Sequence, residues 1–472
     1  MLINDTIAAI STPYGKGGIA VLRISGEDAL NVADLVFKPE NHKKFSSGEV
    51  GKYRYGSIVE PVADDVPDIQ NRLIDKGMAV YFKAPHSFTG EDTVEISCHG
   101  GVLVTQRVYM ALLRAGARAA VAGEFTKRAF INGKMKLNEA ESLGSLLDAE
   151  NDEQLTLALS GMRGLLSDET QKIYDSLCTV IASVYAKIDY PDEDLAELDD
   201  LQIIEILKQN IEKLEKIADT YRTGRALGEG VDTVICGRTN AGKSSVYNRI
   251  VGRDAAIVTD IEGTTRDVLK ERTRIGKVAV NLFDTAGLRE SGDPVEKIGI
   301  KRAVEAINTA ELVFAVFDGT KVPSDEDFDI VRNFSGKGKI CIALINKSDL
   351  SDSVGINCIP DEEKQIFEKI VCVSARTGEG FDILENAVEE IYINRELDTV
   401  REAVLINARQ HAAVLSALEE INNSVRFIKE KYPLEICCSS IEDGMRALGE
   451  LDGRKVSEDV VSKIFSSFCV GK

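Results

Sequence analysis

The chain has 472 residues, too many for one hydrophobic core, so roughly two to four domains are expected. Its composition, 44% hydrophobic and 28% charged, is that of an ordinary soluble protein, and no run approaches the ~20 apolar residues that cross a bilayer. Acidic residues outnumber basic ones by 77 to 57, a formal charge of −20. That balance argues against a chain that grips nucleic acid unaided. Such a role would need a local patch or a partner, and the simplest reading of the charge is solubility.

The opening segment MLINDTIAAISTPYG has neither a basic leader nor a long apolar stretch, so no signal peptide or membrane anchor is expected. Nine cysteines occur without CxxC pairs, and His42, His86, His99 and His411 do not cluster with them. This speaks against a zinc site or a disulfide framework and for a reducing cytoplasm.

Residues 1–118 read as a mixed α/β unit. IAVLRIS (19–25), MAVYF (78–82) and TVEISC (93–98) are expected strands, with Gly-rich turns at Gly15–Gly18 and Gly100–Gly101. LVTQRVYMALLRAGA (103–117) has a helical period and a glycine near its end. Residues 119–220 turn helical. Leu155, Leu159, Met162 and Leu166 repeat every three to four residues, as do Ile203, Leu207, Ile211 and Leu214. The acidic stretch 189–200, with Pro191, predicts a helix break, and Lys127, Arg128, Lys134 and Lys136 form a basic cluster. Residues 221–390 alternate short apolar strands (VDTVICG, VAVNLFD, LVFAVFD, ICIALIN, IVCVSA) with helices, the pattern of a parallel sheet wrapped by helices. Helical periodicity returns over 391–472, at Leu415, Leu418, Ile421, Val425 and Ile428. Neither helical segment looks like a complete bundle, so the two are expected to pack together around an inserted α/β domain.

GRTNAGKS (237–244) directly follows the strand VDTVIC and matches G-x-x-x-x-G-K-[ST]. Backbone N–H groups of such a loop point at phosphates. Gly242 permits close approach, Lys243 reaches the β- and γ-phosphates, and Ser244 suits magnesium. Downstream, TDIEGTTRD (259–267) offers Thr264 and Thr265 to magnesium and the γ-phosphate. DTAG (284–287) follows a strand, with Asp284 suited to the magnesium water shell and Gly287 to a γ-phosphate contact. In NKSD (346–349), Asp349 can accept two hydrogen bonds from guanine, a donor pair adenine lacks, while Asn346 and Lys347 shape the pocket. SAR (374–376) supplies backbone to the guanine oxygen. Five elements in order, each at a strand end, predict a P-loop guanine-nucleotide domain.

Many small GTPases place a glutamine directly after DxxG to orient the attacking water; here that residue is Leu288, which cannot hydrogen-bond. Arg266, Arg289 and Glu296 are the nearby candidates. Glu296 can orient or activate water, or be a solvated helix-start carboxylate near Pro294. Arg289 fits a surface contact better than an arginine finger. Asn240 can place its side-chain oxygen on a monovalent cation beside the phosphates, or simply close the turn.

The whole chain resembles the bacterial MnmE (TrmE) family of tRNA-modification GTPases. The marks are DTIAAISTPYGKGGIAVLRISG (5–26), SFTGEDTVEISCHGG (87–101), GEFTKRAFINGKMKLNEAE (123–141), the nucleotide motifs and the terminal FCVGK (468–472). The resemblance implies a multidomain α/β plus all-α fold. Its parts would be an N-terminal folate-binding and dimerisation domain (1–118), a helical domain in two parts (119–220 and 391–472), and a P-loop GTPase domain (221–390) inserted into it. It also implies a homodimer that works with the FAD-dependent partner MnmG (GidA), in a heterotetramer or larger complex. Together they would build an aminomethyl or carboxymethylaminomethyl group on carbon 5 of the wobble uridine of certain tRNAs. Contact with tRNA would run mainly through the partner, 5-formyl- or methylene-tetrahydrofolate would supply the one-carbon unit, and GTP hydrolysis would be potassium-stimulated.

Carried over by motif, the implied GTP contacts are Asn240, Ala241, Gly242, Lys243, Ser244 and Ser245 in the phosphate loop. Further along they are Thr259, Asp260, Ile261, Glu262, Gly263, Thr264 and Thr265, then Asp284, Thr285, Ala286 and Gly287. Asn346, Lys347, Asp349, Ser374, Ala375 and Arg376 complete the base pocket. Magnesium falls to Ser244 and Thr265, and potassium to Asn240, Thr259, Ile261 and Thr264. Glu296 becomes the water-orienting carboxylate. Folate contacts fall on Arg23, Glu95 and Lys134, with Lys472 nearby; unaided, Glu95 and Lys134 read as solvated surface charges. Cys469 is either a thiolate that adds to uridine carbon 6 or protects an intermediate, or a buried or merely positional residue. Val470 and Tyr14 depart from the family's usual isoleucine and proline without removing a chemical group. Two other functions compete: a ribosome-assembly or signalling switch, and a folate-dependent transferase with an idle GTPase domain.

Overall fold

Alternation of buried and exposed side chains along the strands, and long apolar stripes along the helices, organise the chain in this computed structural model. It describes residues 5–41, 43–61, 72–189, 198–254, 270–283, 310–334, 338–350, 353, 355–454, 456–466, 468, 469 and 471. Its contacts define two units, Met1–Gly144 with Gly449–Lys472, and Ser145–Leu448.

In the first unit, the strands are β1 (Ile7–Ile10), β2 (Ile19–Ser25), β3 (Phe37–Pro39), β4 (Arg54–Val59), β5 (Leu73–Phe82), β6 (Thr93–His99) and β7 (Arg118–Ala119). They form one sheet in the order β3-β4-β5-β6-β2-β1-β7. The three strands expected from sequence are β2, the second half of β5, and β6. The short strands β1, β3 and β7 were not anticipated, because two to four residues carry too little periodicity. Ala20, Leu22 and Ile24 alternate inward on β2, and Val94, Ile96 and Cys98 do so on β6. This face is covered by α1 (Ala29–Val36) and α2 (Val102–Arg114), whose Val108, Ala111 and Leu112 enter the same core. The opposite face of β2 and β6 presents Arg23 directly across from Glu95.

On that opposite side lies α3 (Glu124–Ile131), which is followed in the chain by α4 (Leu137–Leu147). Phe125 of α3 packs with Ile7, Ala9 and Ala120. Arg128 is 1% exposed and pairs with Asp5 at 2.6 Å, Glu91 at 3.1 Å and Glu124 at 3.2 Å. It is therefore an internal strut and no part of an exposed basic cluster. Leu137 and Ala140 of α4 share a core with Val461, Phe465 and Phe468 from the C-terminal segment, which contains the helix Glu458–Ser466. The tail returns to β1: Ser11 donates to the Gly471 carbonyl at 3.2 Å. Gly471 has φ +101°, and a Cβ there would fall 2.3 Å from the Ile10 carbonyl oxygen, so no other residue fits.

The second unit opens with α5 (Asp152–Met162), α6 (Leu165–Asp189), α7 (Asp200–Asp219) and α8 (Tyr221–Leu227). The repeat Leu155, Leu159, Met162 belongs to a helix, as expected, but these residues are 40%, 43% and 39% exposed. Leu157 and Ala158 are buried instead, because Leu157 packs with Leu227, Val404 and Ile406. Gly164, with φ +76°, separates this helix from the one that begins at Leu165, so the repeat does not run on to Leu166 as one face. The predicted break lies between Asp189 and Asp200. Residues 190–197, including Pro191, are outside the described residues, and Asp199 starts α7 with a capping box to Gln202. Ile203, Leu207, Ile211 and Leu214 are all buried.

A second sheet follows, in the order β13-β12-β11-β8-β10-β9. Its elements are β8 (Val231–Cys236), α9 (Lys243–Asp254), β9 (Lys270–Ile275), β10 (Val278–Phe283), β11 (Leu312–Asp318), α10 (Asp325–Phe334), β12 (Ile340–Asn346) and β13 (Lys369–Cys372). The five expected strands pair in parallel, and β9 adds an unforeseen antiparallel edge through the Lys277 turn. KERTRI is too polar to read as a strand alone; its partner β10 imposes the conformation. Cores fill both faces of this sheet, one of them closed by α11 (Phe381–Tyr392).

Two more helices follow, α12 (Ala408–Lys429) and α13 (Leu434–Asp452), and α12 packs along α7. Leu418, Ile421, Val425 and Ile428 are buried as their period predicts, whereas Leu415 is 45% exposed. The chain before and after the sheet is laced together. Leu405 N donates to Thr220 Oγ1 at 3.1 Å, Thr223 Oγ1 donates to the Tyr392 carbonyl at 3.1 Å, and Asn394 N donates to Thr223 Oγ1 at 3.0 Å.

Candidate functional site

The parallel register brings the carboxyl ends of β8, β12 and β13 to one edge of the second sheet, where such folds bind ligands. Beyond Cys236 the chain turns through Gly237, Asn240 and Gly242, all with positive φ, and enters α9 at Lys243. Asn240 adopts φ +65°, a conformation that asparagine tolerates better than most residues. At Gly242, φ is +97° and a Cβ would sit 2.1 Å from Asn346 Nδ2. The glycine therefore lets the loop and the NKSD segment touch. Ser244 and Ser245 are exposed in the first turn of α9, whose free N–H groups and dipole favour an anion. Lys243 Nζ donates to the Arg238 carbonyl at 2.9 Å, curling over the loop, and partial burial draws its pKa below the ordinary lysine value.

Asn346 stitches the site together. Its Nδ2 donates to the Ala241 carbonyl at 3.0 Å, and its Oδ1 accepts from Ala375 N at 3.1 Å. One buried amide thus ties the phosphate loop to the SAR segment. Beside it, Ser374 Oγ donates to Asp349 Oδ1 at 2.7 Å, orienting an exposed carboxylate, while Arg376 is exposed. Lys347 has φ +69°, and its Nζ reaches Asp318 Oδ2 at 2.7 Å. Burial alone would raise the Asp318 carboxyl, but Lys347 and the Thr320 hydroxyl and amide outweigh it and hold the pKa below the ordinary carboxylate value. Asp318 also lines a cleft of about 350 Å³ with Arg238–Ala241 and 321–324.

Of the expected nucleotide residues, the structure brings together Asn240–Ser245, Asn346, Lys347, Asp349 and Ser374–Arg376. Thr259, Asp260, Ile261, Glu262, Gly263, Thr264, Thr265 and Arg266 lie outside the described residues. So do Asp284, Thr285, Ala286, Gly287, Leu288, Arg289 and Glu296. The hard oxygen donors present, the Ser244 hydroxyl and the Asn240 amide, suit magnesium and potassium respectively in donor type.

In the first unit, Arg23 pairs with Glu95 at 2.8 Å, and its guanidinium lies over the rings of Phe88 at 5.3 Å and Phe125 at 5.7 Å. Lys134 Nζ donates to the Pro85 carbonyl at 2.9 Å, and Asn132 Nδ2 donates to the Thr89 carbonyl at 2.8 Å. Arg23 and Lys134 therefore both meet the 85–90 loop. The tail joins the same unit: Gly123 N donates to the Cys469 carbonyl at 3.4 Å, with Cys469 exposed. Lys472 lies outside the described residues. Sequence reasoning missed Phe88, Phe125 and Asp318. The phenylalanines sit inside quoted motifs and Asp318 ends a quoted strand, but none carries a local chemical signal of its own.

Residues 6–134 match the family model for the GTP-binding protein TrmE N-terminus, and residues 137–469 match the model for the MnmE helical domain. The chain belongs to the MnmE (TrmE) family of tRNA-modification GTPases. The tRNA modification GTPase MnmE of Alkaliphilus metalliredigens is 38% identical over 475 residues, covering all of both chains. The proteins of the same name from Acetivibrio thermocellus and Clostridioides difficile are 38% and 35% identical, again over full length. The N-terminal match contains Arg23, Glu95 and Lys134, and the helical MnmE match runs on to Cys469. No helix among the described residues is long and apolar enough to cross a membrane.

Proposed function

We propose that this chain is a potassium-stimulated GTPase that, with an FAD-dependent MnmG-type partner, installs a (carboxymethyl)aminomethyl group at carbon 5 of the tRNA wobble uridine. The observation that carries the GTPase half is the Asn346 bridge, which sets phosphate loop, NKSD and SAR at one sheet edge. Asp349, oriented by Ser374, accepts the guanine N–H pair. Lys243 and the α9 amides take the phosphates, and Ser244 with Thr265 holds magnesium. Asn240, with Thr259, Ile261 and Thr264, holds a potassium ion that supplies positive charge beside the phosphates, and Glu296 orients the water that Leu288 cannot.

The tetrahydrofolate half rests on Arg23, Glu95 and Lys134 around the 85–90 loop, with Phe88 and Phe125 backing the guanidinium. The polar edge or carboxylates of a folate meet Arg23 and the lysines, Lys472 included, and the pterin N–H groups meet Glu95. Cys469 stands in the tail as a candidate thiol for the uridine. Four segments divide the labour: 1–118 binds folate and dimerises, 119–220 with 391–472 forms the helical domain, and 221–390 is the inserted GTPase domain. The lacing of Thr220 and Thr223 to 392–405 supports the insertion, since it closes the chain on itself at the base of the sheet. A cytoplasmic homodimer assembled with the partner is the working form.

Nucleoside analysis of tRNA from cells lacking the gene tests this reading. The wobble modification should vanish and return with the intact gene. Unchanged modification would point to a switch GTPase instead.

A further inference from the structure

Asp318 touches none of the motif residues in sequence, yet it closes the strand beside NKSD. Asp318 and Asn346 are the last residues of β11 and β12 and stand opposite each other in register. The turn beyond Asp318 is bound to the same segment: Gly319 N donates to the Asn346 carbonyl at 2.8 Å, and a Cβ on Gly319 would fall 2.6 Å from that oxygen. One carboxylate oxygen of Asp318 accepts from Thr320 N at 3.1 Å and Thr320 Oγ1 at 2.7 Å, so the carboxylate cannot rotate freely. The other oxygen receives the Lys347 ammonium at 2.7 Å.

Lys347 is held at both ends. Its backbone is left-handed at φ +69°, which a lysine adopts only under constraint. Asn346 before it is bridged to Ala241 and Ala375, and Ser348 N after it donates to the Val373 carbonyl at 3.2 Å. The far end of the side chain is set by Asp318. A four-carbon stem fixed at both ends loses little further rotamer freedom when it closes on a ligand, whereas a free lysine loses much more.

We propose that Asp318 is a positioning residue for nucleotide retention: it holds the Lys347 stem as a rigid wall of the base pocket and so lengthens the residence of bound GDP. This rests on the guanine-nucleotide reading of the same site. The carboxylate acts through Lys347 and takes no part in hydrolysis.

The test uses the full chain loaded with a fluorescent GDP analogue and magnesium, chased with excess GDP. Asp318→Asn keeps the shape and an acceptor for Thr320 but removes the ion pair. Release should quicken by up to about tenfold, the cost of immobilising one freed, rotamer-rich side chain. The single-turnover hydrolysis rate at saturating GTP should stay unchanged. Lys347→Met should also quicken release, and adding Asp318→Asn to it should change little further, because the two act as one unit. Unchanged release in Asp318→Asn, or equal effects of Asp318→Asn in both backgrounds, overturns the inference while leaving the site's reading intact. The second outcome would reduce Asp318 to a turn-stabilising residue. Failure of the unaltered chain to hold the analogue overturns both.

Discussion

On the proposed folate reading, Arg23 is a side chain already ordered before its ligand arrives. Its charge is neutralised by Glu95, its faces are covered by two aromatic rings, and it remains about one-fifth exposed. Such a guanidinium is already ordered, so a folate that joins or displaces the Glu95 contact loses little entropy in doing so. Arg23→Ala should weaken tetrahydrofolate binding by about tenfold or more, since it removes a charge-assisted contact, and leave GTP hydrolysis intact. Titration calorimetry with a tetrahydrofolate decides it; unaltered affinity would move the folate site elsewhere. At the other site, Asn346 does comparable work with one neutral amide, spending its donor on the phosphate loop and its acceptor on the SAR segment.

At the scale of elements, α3 is held to the first sheet by charge as much as by packing. Arg128 reaches Asp5, Glu91 and Glu124 from a fully buried position. Burial would raise the Asp5 and Glu124 carboxyls, but Arg118 and Arg128 outweigh it, and both pKa values lie below their ordinary ones. The sign follows from linkage: a depressed carboxyl contributes stability that is complete above its unfolded-state pKa and disappears as pH falls through the folded-state value. Arg128→Leu should cost roughly 3 kcal/mol near neutral pH, because it strips Glu91 of its guanidinium and leaves Asp5 and the buried Glu124 to Arg118 alone. The gap in melting temperature between wild type and variant should narrow below about pH 4, where those carboxylates protonate. A gap independent of pH would assign the role of Arg128 to packing alone.

For the whole molecule, the decisive property is that hydrolysis lacks a Ras-type glutamine at Leu288. On the proposed reading, a potassium ion at Asn240, with the transient pairing of two GTPase domains that the family resemblance implies, would supply the missing charge and order. Hydrolysis in potassium should exceed that in sodium at equal ionic strength by at least about tenfold, as expected for placing a positive charge at the transition state. It should also rise with protein concentration. Equal rates in the two salts would remove the cation role of Asn240. The acidic total charge fits this picture of a chain that leaves most contact with tRNA to a partner.

Much of this was legible in the residues themselves. Phosphate and guanine recognition demand particular residue types at fixed spacings, so GRTNAGKS, NKSD and SAR declare themselves, and five parallel strands follow from their apolar runs. Periodicity located α2, α7 and α12 for the same reason: a helix must bury one stripe. Only the tertiary structure decided which stripe. It turned Leu155, Leu159 and Met162 outward, made a strand of KERTRI and buried Arg128, because packing partners distant in sequence set the buried surface. It alone brought Phe88 and Phe125 beneath Arg23 and Asp318 against Lys347. These contacts join positions from 29 to 102 residues apart, and no local pattern encodes such a meeting.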